Sequence, residues 1–197
     1  MPRAKQRTSE LRDRVLDVAV RALNEHGISG FTTRRVAELA GTSVAAVYEL
    51  FEDKAGLVRQ IFFEGFRLLG RELAMMPVTD DPLADVAALA PVFRRFCLQR
   101  PALAQVMFTR PFADFNPGPE EAAAGAAVRE VFIGRIRRCL DAQLLAGDPT
   151  DIAHVLLALV QGLAVQEGGR WLGTSAASVD RRWALGVTTL LAGFAPR

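Results

Sequence analysis

The only tyrosine of this chain and one of its two lysines lie close together, in the stretch TSVAAVYELFEDKAGL at residues 42–57. Tyr48 follows a run of small residues, and Lys54 comes six positions later. A phenol and an ammonium group near the start of a helix suit an anion, because the helix N-terminus carries partial positive charge and unpaired N–H groups. The stretch is therefore suited to binding an anion. An ordinary helix–loop–helix corner is the alternative at this point.

Patterns for enzymatic or metal chemistry are weak elsewhere in the chain. GFRLLGR at residues 65–71 resembles a phosphate-binding loop, but Arg71 and Glu72 stand where lysine and a hydroxyl residue are needed. The two histidines lack metal-ligand spacing, and no Gly-x-Ser-x-Gly occurs. We therefore predict no enzymatic activity, no cofactor and no metal site. Cys97 and Cys139 are interpreted as small buried hydrophobes in a reducing compartment.

Half of the 197 residues are apolar, which is enough for a sizeable core. The longest uncharged apolar-rich run, residues 152–166, is shorter than the ~20 residues that a bilayer requires. The N-terminus has no apolar segment of the kind found in secretory signals. The protein is therefore expected to be cytoplasmic, with no membrane contact.

Positive charge is concentrated near the N-terminus. Residues 1–47 contain eight basic and five acidic residues, whereas residues 61–197 contain equal numbers. Arg3, Lys5 and Arg7 precede the first acidic residue, Glu10. A short basic arm of this kind is typical of nucleic-acid contact, but many solvated N-termini look the same.

Apolar residues recur at three- and four-residue spacing, and no segment shows the sustained alternation of a strand, so the chain is predicted to be all-α. Cap residues are expected at Thr32 or Thr33, Ser43, Asp148 and Ser178. A first helix runs from about residue 11 and is closed by Gly27. The other predicted helices are residues 32–40, 44–50, 54–75, 83–99, 101–109, 120–145, 150–167 and 179–194. Residues 110–118 are predicted to be irregular.

Residues 33–50 have the proportions of a helix-turn-helix. Val36, Val47 and Phe51 can supply the small core beneath the two helices. The N-terminal half of the second helix carries only small side chains, at Val44, Ala45 and Ala46. A surface this slim can enter a DNA major groove, which is about 12 Å wide.

From Arg14 to Leu57 the chain resembles the TetR family of bacterial transcriptional regulators. The matching residues are Arg14, Ala19, Leu23 and Gly27, then FTTRRVAELAG at residues 31–41, and then Ser43, Val47, Tyr48, Phe51, Lys54 and Leu57. The resemblance implies an N-terminal three-helix helix-turn-helix DNA-binding domain at residues 1–54. It also implies a larger helical ligand-binding and dimerisation domain at residues 55–197.

The same resemblance assigns roles at the DNA surface. In the family, the tyrosine and lysine equivalent to Tyr48 and Lys54 grip DNA phosphates. Thr33 and Arg34 match positions that reach the phosphate backbone or a base edge, and arginine can read guanine through two hydrogen bonds. A solvated arginine is the alternative. The predicted DNA-binding residues are Thr33, Arg34, Ser43, Val44, Ala45, Ala46, Tyr48 and Lys54.

Aromatic and sulfur side chains concentrate in the central helices, where the usual interpretation is an ordinary core. The resemblance implies an apolar pocket in this region, and a pocket also needs a few polar groups. The predicted ligand-binding residues are Phe66, Phe93, Phe96, Met107, Phe132, Gln161 and Gln166.

The last two predicted helices are apolar on more than one face. In the first, one stripe comprises Ile152, Val155, Leu156, Leu159 and Leu163, and another comprises Ala158, Gly162 and Val165. The second carries Trp183, Val187, Leu190, Leu191 and Phe194, with Gly186 and Gly193 allowing close approach. Because a helix that is apolar on most sides is buried on both, we predict a homodimer formed through residues 150–194. A fully internal helix pair is the alternative.

Together these features predict a homodimeric, ligand-responsive transcriptional regulator that binds double-stranded DNA at a palindromic operator. Repression rather than activation rests on the resemblance alone. A helical ligand-binding or scaffold protein without specific DNA recognition is the alternative. Its support is Leu50, where the family often has tyrosine or histidine, together with the nearby acidic residues Glu49 and Glu52.

Overall fold

A computed structural model describes residues 2–109 and 118–196, with the side chains of residues 8–109 and 118–196. These residues form α-helices and no strand, which confirms the predicted all-α class. The helices are α1 (Pro2–Gly30), α2 (Thr33–Leu39), α3 (Val44–Phe51), α4 (Lys54–Ala74), α5 (Pro82–Ala87), α6 (Leu89–Gln99), α7 (Pro101–Phe108), α8 (Pro119–Ala124), α9 (Ala126–Asp141), α10 (Pro149–Gly168) and α11 (Ala176–Gly193). Within the described ranges, no helix is long and apolar enough to cross a bilayer.

Most helix starts follow from short polar side chains. The Thr32 hydroxyl accepts a backbone N–H at 3.2 Å at the start of α2, and the Ser43 hydroxyl accepts one at 3.1 Å at the start of α3. The Asp148 carboxylate accepts two N–H groups of the first turn of α10. These three predicted caps are confirmed, because each satisfies a donor that the helix itself leaves unpaired. Gly27 interrupts α1 with φ 67°, near the predicted end of the first helix.

The cap of the last helix was predicted wrongly. Ser175, not Ser178, is the N-cap of α11, and Ser178 occupies the third helical position. The two serines form a reciprocal capping box in which each side chain contacts the other's backbone N–H. The helix therefore begins at Ala176, three residues before the predicted start at Val179.

Two long predicted helices are each divided in the structure. Residues 83–99 contain most of α5 and the whole of α6, because in a continuous helix Pro91 would have no N–H for the carbonyl of Ala87 and its ring would crowd that carbonyl. Residues 120–145 contain parts of α8 and the whole of α9, which are separated at Gly125, a poor helix former. Residues 110–117 of the predicted irregular segment lie outside the described residues.

The chain divides into two compact units. In the first, residues 2–65, 100–109 and 118–122, α1 packs on α2 and α7, and α2 packs on α3. Val36 and Val47 are fully buried, and Phe51 is 4% exposed, so they form the predicted core beneath the helix-turn-helix. That core fixes the position of α2 and α3.

The second unit comprises residues 66–99 and 123–196. Here α10 packs on α6, α9 and α11, while α5 packs on α6 and α9. Its largest fully buried side chains include Phe93, Phe96, Phe132, Ile136 and Ile152. The aromatic residues of the central helices therefore contribute to a dense core.

The two apolar stripes of α10 are arranged differently from the prediction. Ile152 and Leu156 face the core, but Val155 is 47% exposed and does not belong with them. Positions 155, 158, 162 and 165 recur at spacings of three and four, so they share one helical face. All four residues on that face are exposed, and Val165 reaches 49%. The correct division of α10 is thus one buried face and one exposed apolar face.

In α11, Trp183, Val187 and Leu191 are buried, as predicted, and each is 5% exposed. A Cβ atom at Gly186 would lie 3.5 Å from Leu159 and from Leu163 of α10, so this glycine marks a close approach of the two helices. Leu185 is 66% exposed on the outer side of α11. The pair α10–α11 therefore carries apolar side chains on an uncovered surface of the second unit.

Candidate DNA-binding surface and ligand site

The turn between α2 and α3 is fixed by backbone geometry. Gly41 adopts φ 64°, a left-handed conformation that favours glycine at the end of a helix. The N–H of Thr42 donates to the carbonyl of Ala37 at 3.0 Å, which closes the end of α2. The Ser43 cap then starts α3 immediately. The direction in which α3 leaves the turn is thus set locally.

The predicted DNA-reading half of α3 lies at the surface. Ala45 is exposed, Val44 and Ala46 are half-buried, and Val47 is fully buried beneath them. Because the exposed side chains are small, the backbone of this half-helix can approach a partner closely. The Ser43 hydroxyl is engaged in the cap, which leaves its other lone pair and its proton for a further contact.

Arg34 and Thr33 differ sharply in exposure. The Arg34 side chain is 84% exposed, and its Nε donates to Glu38 Oε1 at 3.1 Å along α2. Thr33 is only 6% exposed, so it offers the least surface of the predicted set. The exposed position of Arg34 suits a contact with DNA. Glu38 would compete with DNA for the Arg34 guanidinium.

Tyr48 and Lys54 stand on consecutive helices. Tyr48 is 42% exposed on α3, and Lys54 is the half-buried first residue of α4. Asp53 precedes it and accepts the N–H of Gly56 at 2.7 Å, which caps α4. A cation in the first turn of a helix is unfavourable beside the positive end of the helix dipole. The adjacent Asp53 carboxylate lessens that conflict, and the helix end together with the ammonium group of Lys54 suits a further anion such as a phosphate.

Arg12 is a residue of this unit that the sequence analysis did not single out. It lies on α1, and its side chain contacts Gln60 of α4 and the ring of Phe51 at the end of α3. These partners lie 48 and 39 positions away in the sequence. No local pattern indicates such a contact.

The predicted ligand-binding residues occupy three kinds of environment. Phe93, Phe96 and Phe132 are fully buried in the second unit, and Met107 is 5% exposed in the first. Phe66 and Gln161 are half-buried, and Gln166 is exposed. The buried aromatic residues are the apolar part of the predicted set, and the glutamines are nearer the surface.

A buried carboxylate organises the segment that follows α4. Asp85 accepts the N–H of Thr79 at 3.0 Å and its hydroxyl at 2.8 Å, and Arg138 of α9 donates to Asp85 at 2.5 Å. These hydrogen bonds, with the one from the Thr79 backbone foremost, lower the pKa of Asp85 to about 2. Arg135 donates to two backbone carbonyls just beyond α4, at 2.7 Å and 2.8 Å. Helix α9 therefore anchors this segment.

A second network ties α6, α10 and α11 together. The Arg94 guanidinium donates to both carboxylate oxygens of Glu167, at 2.8 Å and 2.7 Å, and to Asp180 at 2.7 Å. The Trp183 indole N–H donates to Glu167 at 2.8 Å. Four side chains from three helices thus satisfy one another's hydrogen-bonding groups.

The two cysteines are structural. Cys97 and Cys139 are free and buried, and burial raises the pKa of Cys97 to about 12. Burial also raises the pKa of Cys139. Because the thiolate is the reactive form, burial makes both thiols less reactive than an exposed cysteine. Among the residues that the structure describes, no cluster of His, Cys, Asp or Glu could hold a metal ion.

Comparison with known protein families gives two matches that together cover most of the chain. Residues 15–61 match the model of bacterial regulatory proteins of the tetR family. Residues 86–190, more than half of the chain, match the tetracyclin repressor-like C-terminal domain. The first match contains α2 and α3, and the second contains the Arg94 network and the exposed face of α10.

One regulator is similar to part of the chain, and two solved structures share its fold over most of its length. The HTH-type transcriptional regulator AcrR of Shigella flexneri is 35% identical over 60 residues, which are 30% of this chain and only 28% of that regulator. A protein of unknown function from Rhodococcus sp. RHA1 is 27% identical, with a TM-score of 0.78 over 94% of this chain and 96% of its own. BioQ, solved with its double-stranded DNA operator, is 20% identical, with a TM-score of 0.65 over 92% and 96% of the two chains.

Proposed function

The chain belongs to the TetR family of bacterial transcriptional regulators, and from that premise we propose that it is a repressor whose operator is released when a small apolar or amphipathic molecule binds. The observation that carries the proposal is the exposed, small-residue half of α3, with Tyr48 further along the same helix. The family is one of DNA-binding regulators rather than enzymes. The alternative of a scaffold without DNA recognition is therefore not retained.

Two kinds of DNA contact are assigned to this surface. Tyr48 and Lys54 bind phosphates and position the protein, because phosphate contacts carry no sequence information. Arg34 and the half-helix at residues 44–46 enter the major groove and carry the sequence preference. The strong exposure of Arg34 supports its role, since only a weak surface ion pair holds its guanidinium.

Lys54→Ala and Arg34→Ala separate the two roles. The duplexes are a fragment that the protein selects from genomic DNA and a scrambled fragment of equal length. Lys54→Ala should weaken binding to both alike and lower the salt slope by about one unit. Arg34→Ala should lose about 1–3 kcal/mol more on the selected fragment.

Arg21→Ala is the matched control for Arg34→Ala, because Arg21 forms an exposed ion pair with Asp17, one helical turn earlier on α1. It should leave both affinities nearly unchanged. Equal losses on both duplexes for Arg34→Ala would place Arg34 among the phosphate contacts. A wild-type protein without preference for any fragment would refute the proposed operator binding.

We assign dimerisation to the exposed apolar face of α10. Val155 and Val165 are about half exposed on one face, and an apolar surface of this kind is stabilised by a partner. In a dimer with two-fold symmetry, the two reading helices would meet half-sites about 34 Å apart or a multiple of that. A palindromic operator follows from this symmetry.

Val155→Arg tests the dimer, and Leu98→Arg is its control. Leu98 is an exposed apolar residue on α6, at 53%, outside the proposed interface. Sedimentation should show that Val155→Arg is monomeric at micromolar concentration, whereas Leu98→Arg and the wild type are dimers. A wild type that is monomeric with and without DNA would overturn the assignment.

The effector site is assigned to the second unit, with an apolar wall formed by Phe66, Phe93, Phe96 and Phe132 and with Gln161 and Gln166 as polar partners. Met107, the remaining residue of the predicted set, lies in the first unit. Phe66 is the residue to test, because it is half-buried and lies on α4, the helix that begins at Lys54. A displacement of α4 by the effector would thus reach the DNA-facing lysine. We place this regulation in the bacterial cytoplasm, where the operator is.

Compounds that release the selected DNA identify the effector, and linkage tests the mechanism. Saturating DNA must lower the protein's affinity for the effector by the same factor by which the effector lowers its affinity for DNA. The coupling is typically 1–3 kcal/mol. Phe66→Gln should remove the response and leave the affinity for DNA nearly intact. A bound compound whose affinity is equal with and without DNA would contradict the proposed regulation.

A further inference from the structure

Arg12 joins three helices of the unit that contains the helix-turn-helix. Its Nη2 donates to the Gln60 side-chain oxygen on α4 at 2.9 Å. Its guanidinium carbon lies 5.4 Å from the centre of the Phe51 ring, the last residue of α3. A planar guanidinium can cover an aromatic ring and donate hydrogen bonds in its own plane at the same time. Arg12 therefore contacts the end of α3 and the first half of α4 together.

Phe51 is also the point where α3 and α4 press against each other. A Cβ atom at Gly56, in the first turn of α4, would overlap the carbonyl oxygen of Phe51. The Phe51 ring is 4% exposed and belongs to the core beneath the helix-turn-helix. The carbonyl of Phe51 thus lies against the first turn of α4 while its side chain is held in the core, so Phe51 links the position of α3 to that of α4.

We propose that Arg12 is a positioning residue that holds α3 at the angle to α4 required for reading DNA sequence, and that it does not bind phosphate itself. This inference rests on the proposed role of α3 in DNA reading. Arg12 contacts both Gln60 on α4 and the Phe51 ring at the end of α3. A shift of α4 is therefore transmitted through Arg12 to Phe51 and from there to α3. The Arg12 side chain thus couples the two helices at a site away from the small residues at the start of α3.

An arginine that bound phosphate would behave differently. Its contribution would be equal on any DNA sequence and would fall as salt rises, because phosphate contacts carry no sequence information. The positioning role depends on the planar guanidinium, which lysine lacks, and on the neutral acceptor of Gln60. Arg12→Lys and Gln60→Met therefore test the role without changing the net charge of the protein.

The selected and scrambled duplexes are titrated with the wild type and both variants, and melting curves confirm that each variant is folded. We expect Gln60→Met, which removes one hydrogen bond, to lose about 2- to 10-fold of affinity for the selected duplex. Arg12→Lys, which also weakens the part-buried cation–π contact, should lose about 5- to 30-fold. Binding to the scrambled duplex should hardly change. Arg21→Lys, on the exposed surface of α1, is the matched control and should resemble the wild type.

The salt slope of Arg12→Met provides the second readout. If the salt slope is unchanged and the preference for the selected duplex is lost, Arg12 is a positioning residue. If the slope falls by about one unit and the affinities for both duplexes fall equally, Arg12 contacts a phosphate and the proposal is overturned. If the wild type prefers the selected duplex and Arg12→Lys and Gln60→Met prefer it equally strongly, the role proposed for Arg12 is wrong and the proposed DNA reading stands. A wild type that does not discriminate overturns the proposed DNA reading and this role with it.

Discussion

Glu38→Gln is expected to tighten DNA binding, because Glu38 holds Arg34 and adds negative charge to the proposed DNA surface. The two side chains meet at 3.1 Å, one turn apart on α2, and are 84% and 64% exposed. An exposed helical pair of this kind contributes about 0.2–0.5 kcal/mol. The acid stands C-terminal to the base, which is the weaker orientation, so the lower end of that range applies.

The second contribution comes from the carboxylate itself. If a phosphate approaches it to about 4 Å, their repulsion in water is on the order of 1 kcal/mol. Release of Arg34 and removal of this repulsion together amount to about 1 kcal/mol, or roughly five-fold in affinity. The gain should shrink as salt rises, because screening weakens the interaction between exposed charges.

Fluorescence anisotropy with a labelled duplex at about 50 and 200 mM salt measures this gain. Asp17→Asn is the matched control, because Asp17 and Arg21 form an exposed pair of the same spacing on α1, with the acid first, at 3.2 Å with 70% and 62% exposure. The control should bind as the wild type does. A Glu38→Gln affinity equal to that of the wild type, or an equal gain for Asp17→Asn, would refute the placement of Arg34 at the DNA.

Three further outcomes follow from particular contacts. Gly56→Ala should lower the melting temperature and the affinity for DNA, since its methyl group overlaps the Phe51 carbonyl, whereas Gly134→Ala has open space within 4 Å and should stabilise α9 by roughly 0.5–1 kcal/mol. Asp85 has a folded pKa of about 2, below its ordinary value near 4, so its stabilising contribution is present above pH 4 and is lost as pH falls towards 2. Denaturant titrations should therefore show that the free energy of unfolding falls less between pH 4 and pH 2 for Asp85→Asn than for the wild type. An identical fall in the two proteins would refute the Asp85 contribution. Cys97 should react with a thiol reagent at pH 8 only after unfolding, and rapid reaction of the native protein would contradict its burial.

The sequence predicted the elements whose causes are local. Thr32, Ser43 and Asp148 cap their helices because the acceptor and the donor lie within three residues of each other. Gly41 ends α2 because a left-handed residue is needed there. The helix-turn-helix was therefore predictable from spacing and side-chain type, and the family resemblance reinforced it.

Some errors also had local causes that the prediction overlooked. Pro91 lies inside the predicted helix of residues 83–99, and its missing N–H was sufficient to place the break after Ala87. The face of Val155 could have been assigned from its spacing to positions 158, 162 and 165. The choice of Ser175 over Ser178 as the cap was harder, because both residues are serines and the two hydroxyls act reciprocally.

By itself the sequence determined the all-α class, the helix-turn-helix and its exposed small-residue surface, since these depend on residues within a few positions of one another. Only the tertiary structure decided which distant side chains meet. Arg12 reaches Gln60 across 48 positions, and Arg94 reaches Glu167 across 73. Neither pair has a periodic or motif signal, because an ion pair or a hydrogen bond between helices is set by how the helices pack. The contacts of Arg12 with α3 and α4 therefore become visible only once the chain is folded.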